Sequence, residues 1–294
     1  MESSGWIWLS DSCSLLCVSK KVNDKFDKSL KYIYRMNKLL ILVLLISGIV
    51  KSSFAQDISQ YSRERFISGG DTLLYRMLLP ENFDPQKKYP VLFFLHGSGE
   101  RGNDNEAQLF HGSKLFLQSQ NRKDFPAIII FPQCPKDDFW ANLKRGNGTT
   151  SERFGFQKGG KPGKAMELLI GLISEMKSQK YAAKDQFYVG GLSMGGMGTF
   201  ELLRHKPKVF AAAFSICGGD HVENVKKYRK VPLWIFHGGK DTVVPLEKSE
   251  IVVNELKRLN AEVKFTIYPE ANHNSWDPAF AEPGFLSWIF SHRK

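Results

Sequence analysis

Two five-residue runs, Val91-Leu92-Phe93-Phe94-Leu95 and Ala127-Ile128-Ile129-Ile130-Phe131, carry no polar residue at any position. A strand with one face in water alternates apolar and polar side chains, whereas a strand covered on both faces does not, and sheets covered on both faces are built from parallel strands with helices above and below. The rest of the chain fits that constraint. Polar-edged strands near Arg63–Ile67 and Thr72–Leu79, joined through Gly69-Gly70-Asp71, read as an opening antiparallel hairpin. Beyond the two apolar runs come a helix from Lys164 to Lys180, a strand from Gln186 to Val189 and a helix from Gly195 to His205. Strands at Phe210–Ile216, Pro232–Phe236 and Val263–Tyr268 follow, with helices at Leu246–Asn260 and Gly284–His292. This alternation predicts an α/β fold with a doubly wound, mostly parallel sheet and an antiparallel start. Ligands of such sheets sit at the carboxyl ends of the strands, so the residues that follow each strand are the ones to inspect.

The first 55 residues stand apart. Met36-Asn37-Lys38 precedes an apolar run from Leu39 to Ile46, and Ser53-Phe54-Ala55 precedes Gln56, the order of a signal peptide with small residues before its cut. Residues 1–35, with Cys13, Cys17 and many lysines, read as an upstream extension outside the mature protein, whose start is Met36. The rival reading keeps Met1 and makes residues 39–50 an uncleaved membrane anchor flanked by Lys20, Lys21, Lys25, Lys28, Lys31 and Arg35. Either way the expected location is secreted or periplasmic. The leader holds eight of the 41 Lys/Arg and four of the 30 Asp/Glu, so residues 56–294 keep an excess of seven positive charges. These are scattered, which predicts a soluble basic surface and no nucleic-acid site. The two remaining cysteines, Cys134 and Cys217, follow strands that are not neighbours and are expected to be free.

After the strand ending at Val189 stands Gly190-Gly191-Leu192-Ser193-Met194-Gly195-Gly196, a G-x-S-x-G followed at once by a helical pattern. A serine on a sharp strand-to-helix turn has its hydroxyl lifted above the sheet, and side chains at Gly191 and Gly195 would strike the neighbouring strand and helix. A serine hydroxyl needs a general base, and His273 follows the last strand in Asn272-His273-Asn274-Ser275-Trp276. The base needs an acid to fix its tautomer, and the order Ser, Asp, His puts that acid between them. Asp241, after Phe236-His237-Gly238-Gly239-Lys240, is preferred over Asp220, after Cys217-Gly218-Gly219. His237 is expected to steady the loop that carries Asp241, and His221 to lie at the pocket rim. His111, His205 and His292 read as surface residues.

Acyl transfer also needs donors for a tetrahedral oxyanion. The N–H of Met194 is the first. The second is assigned to Ser98 in His96-Gly97-Ser98-Gly99-Glu100-Arg101-Gly102, with Gly97 as the alternative. Glu100 and Arg101 are read as an ion pair bracing this loop.

These segments, together with Pro132-Gln133-Cys134-Pro135 and His237-Gly238-Gly239-Lys240-Asp241-Thr242-Val243-Val244-Pro245, resemble the carboxylesterase/phospholipase group of α/β-hydrolases over residues 60–294. That group is similar to polyhydroxybutyrate-depolymerase-like and feruloyl or acetyl-xylan esterases and is often labelled prolyl-oligopeptidase-like. The resemblance implies an α/β-hydrolase fold and a triad of Ser193, Asp241 and His273. It also implies an oxyanion donor just after His96-Gly97, and no cofactor or metal. Residues 56–294 hold no Cys-x-x-Cys or His-x-x-x-His pair of zinc type either.

Residues 135–163 are long, polar and Gly-rich, with Phe139, Trp140, Phe154 and Phe156, and leave from the carboxyl end of a strand. They read as a rim or lid of the acyl pocket, with Trp140 and Trp276 as walls for an aromatic or sugar-bearing group. The expectation is a secreted serine carboxylesterase acting on a small-molecule or carbohydrate ester, with acetyl and feruloyl esters as targets. A prolyl-oligopeptidase-like peptidase and a catalytically inactive binding protein on the same fold are the alternatives.

Overall fold

The computed structural model describes residues 58–145 and 154–294; the readings for residues 1–35 and 36–55 and the tip of the 135–163 insertion lie outside the described residues. In chain order the described strands are β1 (Ser62–Ser68), β2 (Asp71–Leu78), β3 (Tyr89–Leu95), β4 (Ile128–Pro132), β5 (Leu143–Arg145), β6 (Phe154–Phe156), β7 (Ala182–Leu192), β8 (Ala212–Ile216), β9 (Leu233–Gly238) and β10 (Val263–Tyr268). Eight of them form one sheet in the order β1-β2-β4-β3-β7-β8-β9-β10. The β1–β2 and β2–β4 pairs are antiparallel, and every other pair in this sheet is parallel. The predicted doubly wound sheet with an opening hairpin is the observed one.

The apolar runs are explained residue by residue. Val91, Phe93 and Leu95 of β3 and Ile128 and Ile130 of β4 enter one core, while Leu92, Phe94, Ile129 and Phe131 enter the other. The first core is capped by α3 (Lys164–Ser178), α4 (Met194–His205) and α5 (Glu247–Arg258). The second is capped by α1 (Ser113–Leu117), α6 (Trp276–Phe280) and α7 (Phe285–Ser291). Every residue of β3 and β4 beyond Pro90 is therefore buried whichever way it points.

Two departures have simple causes. Strand β7 starts at Ala182, four residues before its expected start, because Ala182 still pairs with Tyr89 across an irregularity in β3. The β3–β4 crossover contains α1 and α2 (Ser119–Asp124), five and six residues long, too short to show a helical period in the sequence. At the far edge β10 is only half covered, and Ile267 is exposed.

Strand order reverses around β3: the chain steps from β3 to β4 on one side, then crosses back to β7 on the other. A crevice opens at such a reversal beyond the carboxyl ends of the strands. Both the loop after β3 and the turn after β7 lie there. Among the described residues no helix is long and apolar enough to cross a membrane.

Candidate active site

Ser193 joins β7 to α4 with φ 51° and ψ −117°, a backbone state that residues other than glycine seldom adopt. Packing holds it there. A Cβ on Gly195 would lie 1.9 Å from the carbonyl oxygen of Leu95, and one on Gly191 2.4 Å from the same atom, so both glycines are required by backbone contact with β3. The N–H of Ser193 donates to the carbonyl of Ile216 at 2.8 Å, which pins the turn to β8.

His273 lies in the loop after β10, and Asp241 in the loop after β9. Asn272 links the two loops: its Oδ1 accepts the N–H of Thr242 at 3.2 Å and of His273 at 2.9 Å. The imidazole then bridges the other two residues. Its Nε2 is 2.9 Å from Oγ of Ser193 and its Nδ1 is 2.8 Å from Oδ2 of Asp241. A carboxylate facing Nδ1 keeps the proton on that nitrogen and leaves Nε2 free to accept one from the serine.

Burial would raise the Asp241 carboxyl, but hydrogen bonds from His237 and His273, with the N–H of Val244, outweigh it and hold the group well below the usual carboxylate range. Oδ1 accepts the N–H groups of Val243 and Val244, both at 2.9 Å. His237 is fully buried, with Nδ1 2.7 Å from Oγ of Ser249 and Nε2 2.9 Å from the carbonyl of Val244. It steadies the Asp241 loop as expected.

Asp220 is not part of this cluster. Its carboxylate accepts from Asn224 Nδ2 at 2.8 Å, Tyr228 OH at 2.9 Å and its neighbour's N–H at 2.7 Å, and burial pushes it up to about 6. Asn224 also takes the N–H of Gly159 and donates to the carbonyl of Gln157, so Asp220 organises the loop against which the insertion returns.

The two expected oxyanion donors are available. Among the described residues neither the N–H of Ser98 nor that of Met194 has a protein acceptor. Gly97 lies against Ser193, since a Cβ there would be 3.8 Å from the serine's Cβ. The loop is clamped by His96, whose Nε2 accepts the N–H of Cys134 at 2.9 Å while Nδ1 faces the carbonyl of Gly97 at 2.6 Å. Burial pushes this imidazole down to about 4, consistent with a neutral ring that carries its proton on Nδ1.

Two sequence expectations are corrected. Trp140 is no pocket wall: it has 0% exposed surface and packs edge-on to His96 at 5.5 Å. It occupies the space that Gly198 of α4 leaves, where a Cβ would come within 2.3 Å of its own Cβ. Glu100 and Arg101 form no ion pair. Arg101 donates to the carbonyls of Ser98 and Lys136 and lies over the Phe139 ring at 4.4 Å, while Glu100 turns toward His111. Trp276, in contrast, is half-buried beside His273, with ring centres 5.5 Å apart.

Cys217 was expected only to be free, and its place beside the triad was not foreseen. Its backbone has φ 43°, and its Sγ lies 3.6 Å from the carbonyl of His273. Cys134 and Cys217 are both free and buried. Ligand atoms of Cys217, Asp241 and His273 fall within 4.8 Å of one another. Nδ1 of His273 and Oδ2 of Asp241 are already committed to each other, and burial raises the thiol, so a cation there would have to break the triad's hydrogen bond.

The chain belongs to the phospholipase/carboxylesterase family of α/β-hydrolases, whose model matches residues 83–282. A solved thermostable esterase superposes with a TM-score of 0.73 at 31% identity, over 81% of this chain and 64% of that one. Dipeptidyl peptidase 4 of Trichophyton equinum is 28% identical over 151 residues, 51% of this chain and 18% of the peptidase. The bifunctional acetylxylan esterase/xylanase of Neocallimastix patriciarum is 26% identical over 194 residues, 66% of this chain and 24% of that protein. This chain thus spans less than two thirds of the length of each of these relatives.

Proposed function

We propose that this protein is a serine esterase that works through an acyl-enzyme, with Ser193 as nucleophile, His273 as general base and Asp241 as the orienting acid. One observation carries the reading: a single imidazole within hydrogen-bond reach of a strained serine hydroxyl on one side and a buried carboxylate on the other. In this mechanism Oγ of Ser193 attacks the ester carbonyl as Nε2 of His273 takes its proton, and the N–H groups of Ser98 and Met194 hold the oxyanion. The imidazolium gives its proton to the departing alcohol. Water, deprotonated by the same nitrogen, then releases the acid and restores Ser193.

The proposed substrates are acetyl or feruloyl esters of carbohydrates, a reading supported by similarity to an acetylxylan esterase and by Trp276 beside the catalytic imidazole. Export to the periplasm or medium rests on the sequence of residues 36–55. The test is turnover of p-nitrophenyl acetate and acetylated xylan by the full chain and by Ser193→Ala, beside labelling with a fluorophosphonate. Turnover and labelling that both depend on Ser193 are expected. Wild-type protein that neither turns over esters nor takes the label would leave a binding protein on a hydrolase fold.

Similarity to a dipeptidyl peptidase supports a second reading, cleavage of peptides. Faster release from proline-containing peptide anilides than from acetate esters would select it.

A further inference from the structure

Beyond the triad, a line of rings leads from His273 to the surface. Trp276 lies 5.5 Å from the His273 ring, His111 4.8 Å from Trp276, and Phe110 4.7 Å from His111, edge-on at 87°. Phe110 ends the line with 76% of its surface exposed, more than any other large apolar side chain among the described residues. Leu109, one residue earlier, fills the core instead. Gly112, at φ +80°, lets the backbone pass close to Phe94, since a Cβ there would come within 2.9 Å of that ring.

A carboxylate stands at the inner end of this shelf. Among the described residues neither oxygen of Glu100 makes a hydrogen bond: Oε1 is 3.9 Å from Nε2 of His111, and Oε2 is buried without a donor. Only 14% of its side chain is exposed, so water offers little compensation for the unspent acceptors. A Cβ on Gly97 would lie 2.9 Å from Cδ1 of Leu192, 3.0 Å from Oε2 of Glu100 and 3.8 Å from Cβ of Ser193, so the carboxylate packs against the Gly97 backbone beside the nucleophile.

We infer that Phe110, His111 and Glu100 form the subsite for the alcohol half of the substrate, and that this half is a sugar ring. The inference rests on the esterase reading above. The base that deprotonates Ser193 later delivers its proton to the leaving oxygen, so groups that extend outward from His273 meet the alcohol and not the acyl group. An exposed aromatic shelf covers the C–H face of a sugar, and a carboxylate with open lone pairs accepts its hydroxyls. A purely aliphatic alcohol would leave Glu100 as unpaired as before.

The test compares acetylated xylobiose with ethyl acetate, two substrates that pass through the same acetyl-enzyme and differ only in the alcohol. The full chain, Phe110→Ala and Glu100→Gln are assayed for kcat/KM on both. The ratio of sugar ester to ethyl ester is expected to fall about tenfold in each variant, mostly through KM for the sugar ester. Xylobiose binding to Ser193→Ala, followed by tryptophan fluorescence, is expected to weaken when Phe110→Ala is added. Ratios equal to wild type in both variants overturn the subsite while leaving the esterase intact. Wild-type protein inactive on both esters overturns the esterase reading itself.

Discussion

Nε2 of His237 stands 3.3 Å from Oδ2 of Asp241, the same oxygen that faces Nδ1 of His273 at 2.8 Å. The acid is therefore held by two imidazoles, one of them with no contact with solvent. His237→Ala removes one donor from a buried carboxylate and also leaves the carbonyl of Val244 without its partner, while Ser249 keeps its bond to the carbonyl of Gly218. A loss of roughly 2 kcal/mol is expected in transition-state stabilisation, read as at least a tenfold drop in kcat on p-nitrophenyl acetate. Unchanged kcat would mean that the N–H groups of Val243 and Val244 suffice to hold Asp241.

Ser193 occupies a backbone state that costs about 1–3 kcal/mol for a residue with a Cβ. Ser193→Gly is therefore expected to melt higher than Ser193→Ala, although both lose turnover by about four orders of magnitude or more. Thermal melts of the two variants side by side check this; equal melting points would show that the turn is not strained.

Gly195→Ala is expected not to fold, since the new methyl would lie 1.9 Å from the backbone of Leu95, which belongs to the central strand and has nowhere to go. Gly99→Ala, four residues beyond Leu95, meets nothing within 4 Å and is expected to express and melt like wild type. Circular dichroism of the two proteins separates these outcomes.

Two buried groups pull stability in opposite directions with pH. His96, pushed down to about 4, is neutral in the fold while the unfolded chain protonates near 6.5, so its contribution is lost as pH falls through that window. Asp220, raised to about 6 by burial, stays protonated in the fold after the unfolded chain has ionised near 4, so its contribution is lost as pH rises. Asp220→Asn removes only the second of these contributions. Its melting point relative to wild type is expected to be higher at pH 7 than at pH 4 by the equivalent of about 3 kcal/mol. A difference independent of pH would place the Asp220 carboxyl in its ordinary range.

The sheet was legible because strands covered on both faces lose their alternation, and the triad because each member follows a strand in the order the fold requires. Trp140 was misread for a physical reason: an aromatic residue in a polar loop looks like a rim residue until the missing side chain of Gly198 shows where it fits. The Glu100–Arg101 pair failed because adjacent residues in a short helical turn point apart, and Arg101 found carbonyls and the Phe139 ring instead. Phe110 was passed over and His111 read as a surface residue because their relation to His273 runs through Trp276, some 165 residues away in the chain, and no local pattern carries it.

The contacts around Gly191, Gly195 and Gly198 leave the ground beneath the triad with no slack. Mutation can change little there without loss of the fold. Changes of specificity are expected instead in the part of the β3–β4 connection beyond the Ser98 loop, which carries Phe110 and His111. Such a scaffold can vary what it meets at its rim while the placement of Ser193, His273 and Asp241 stays fixed.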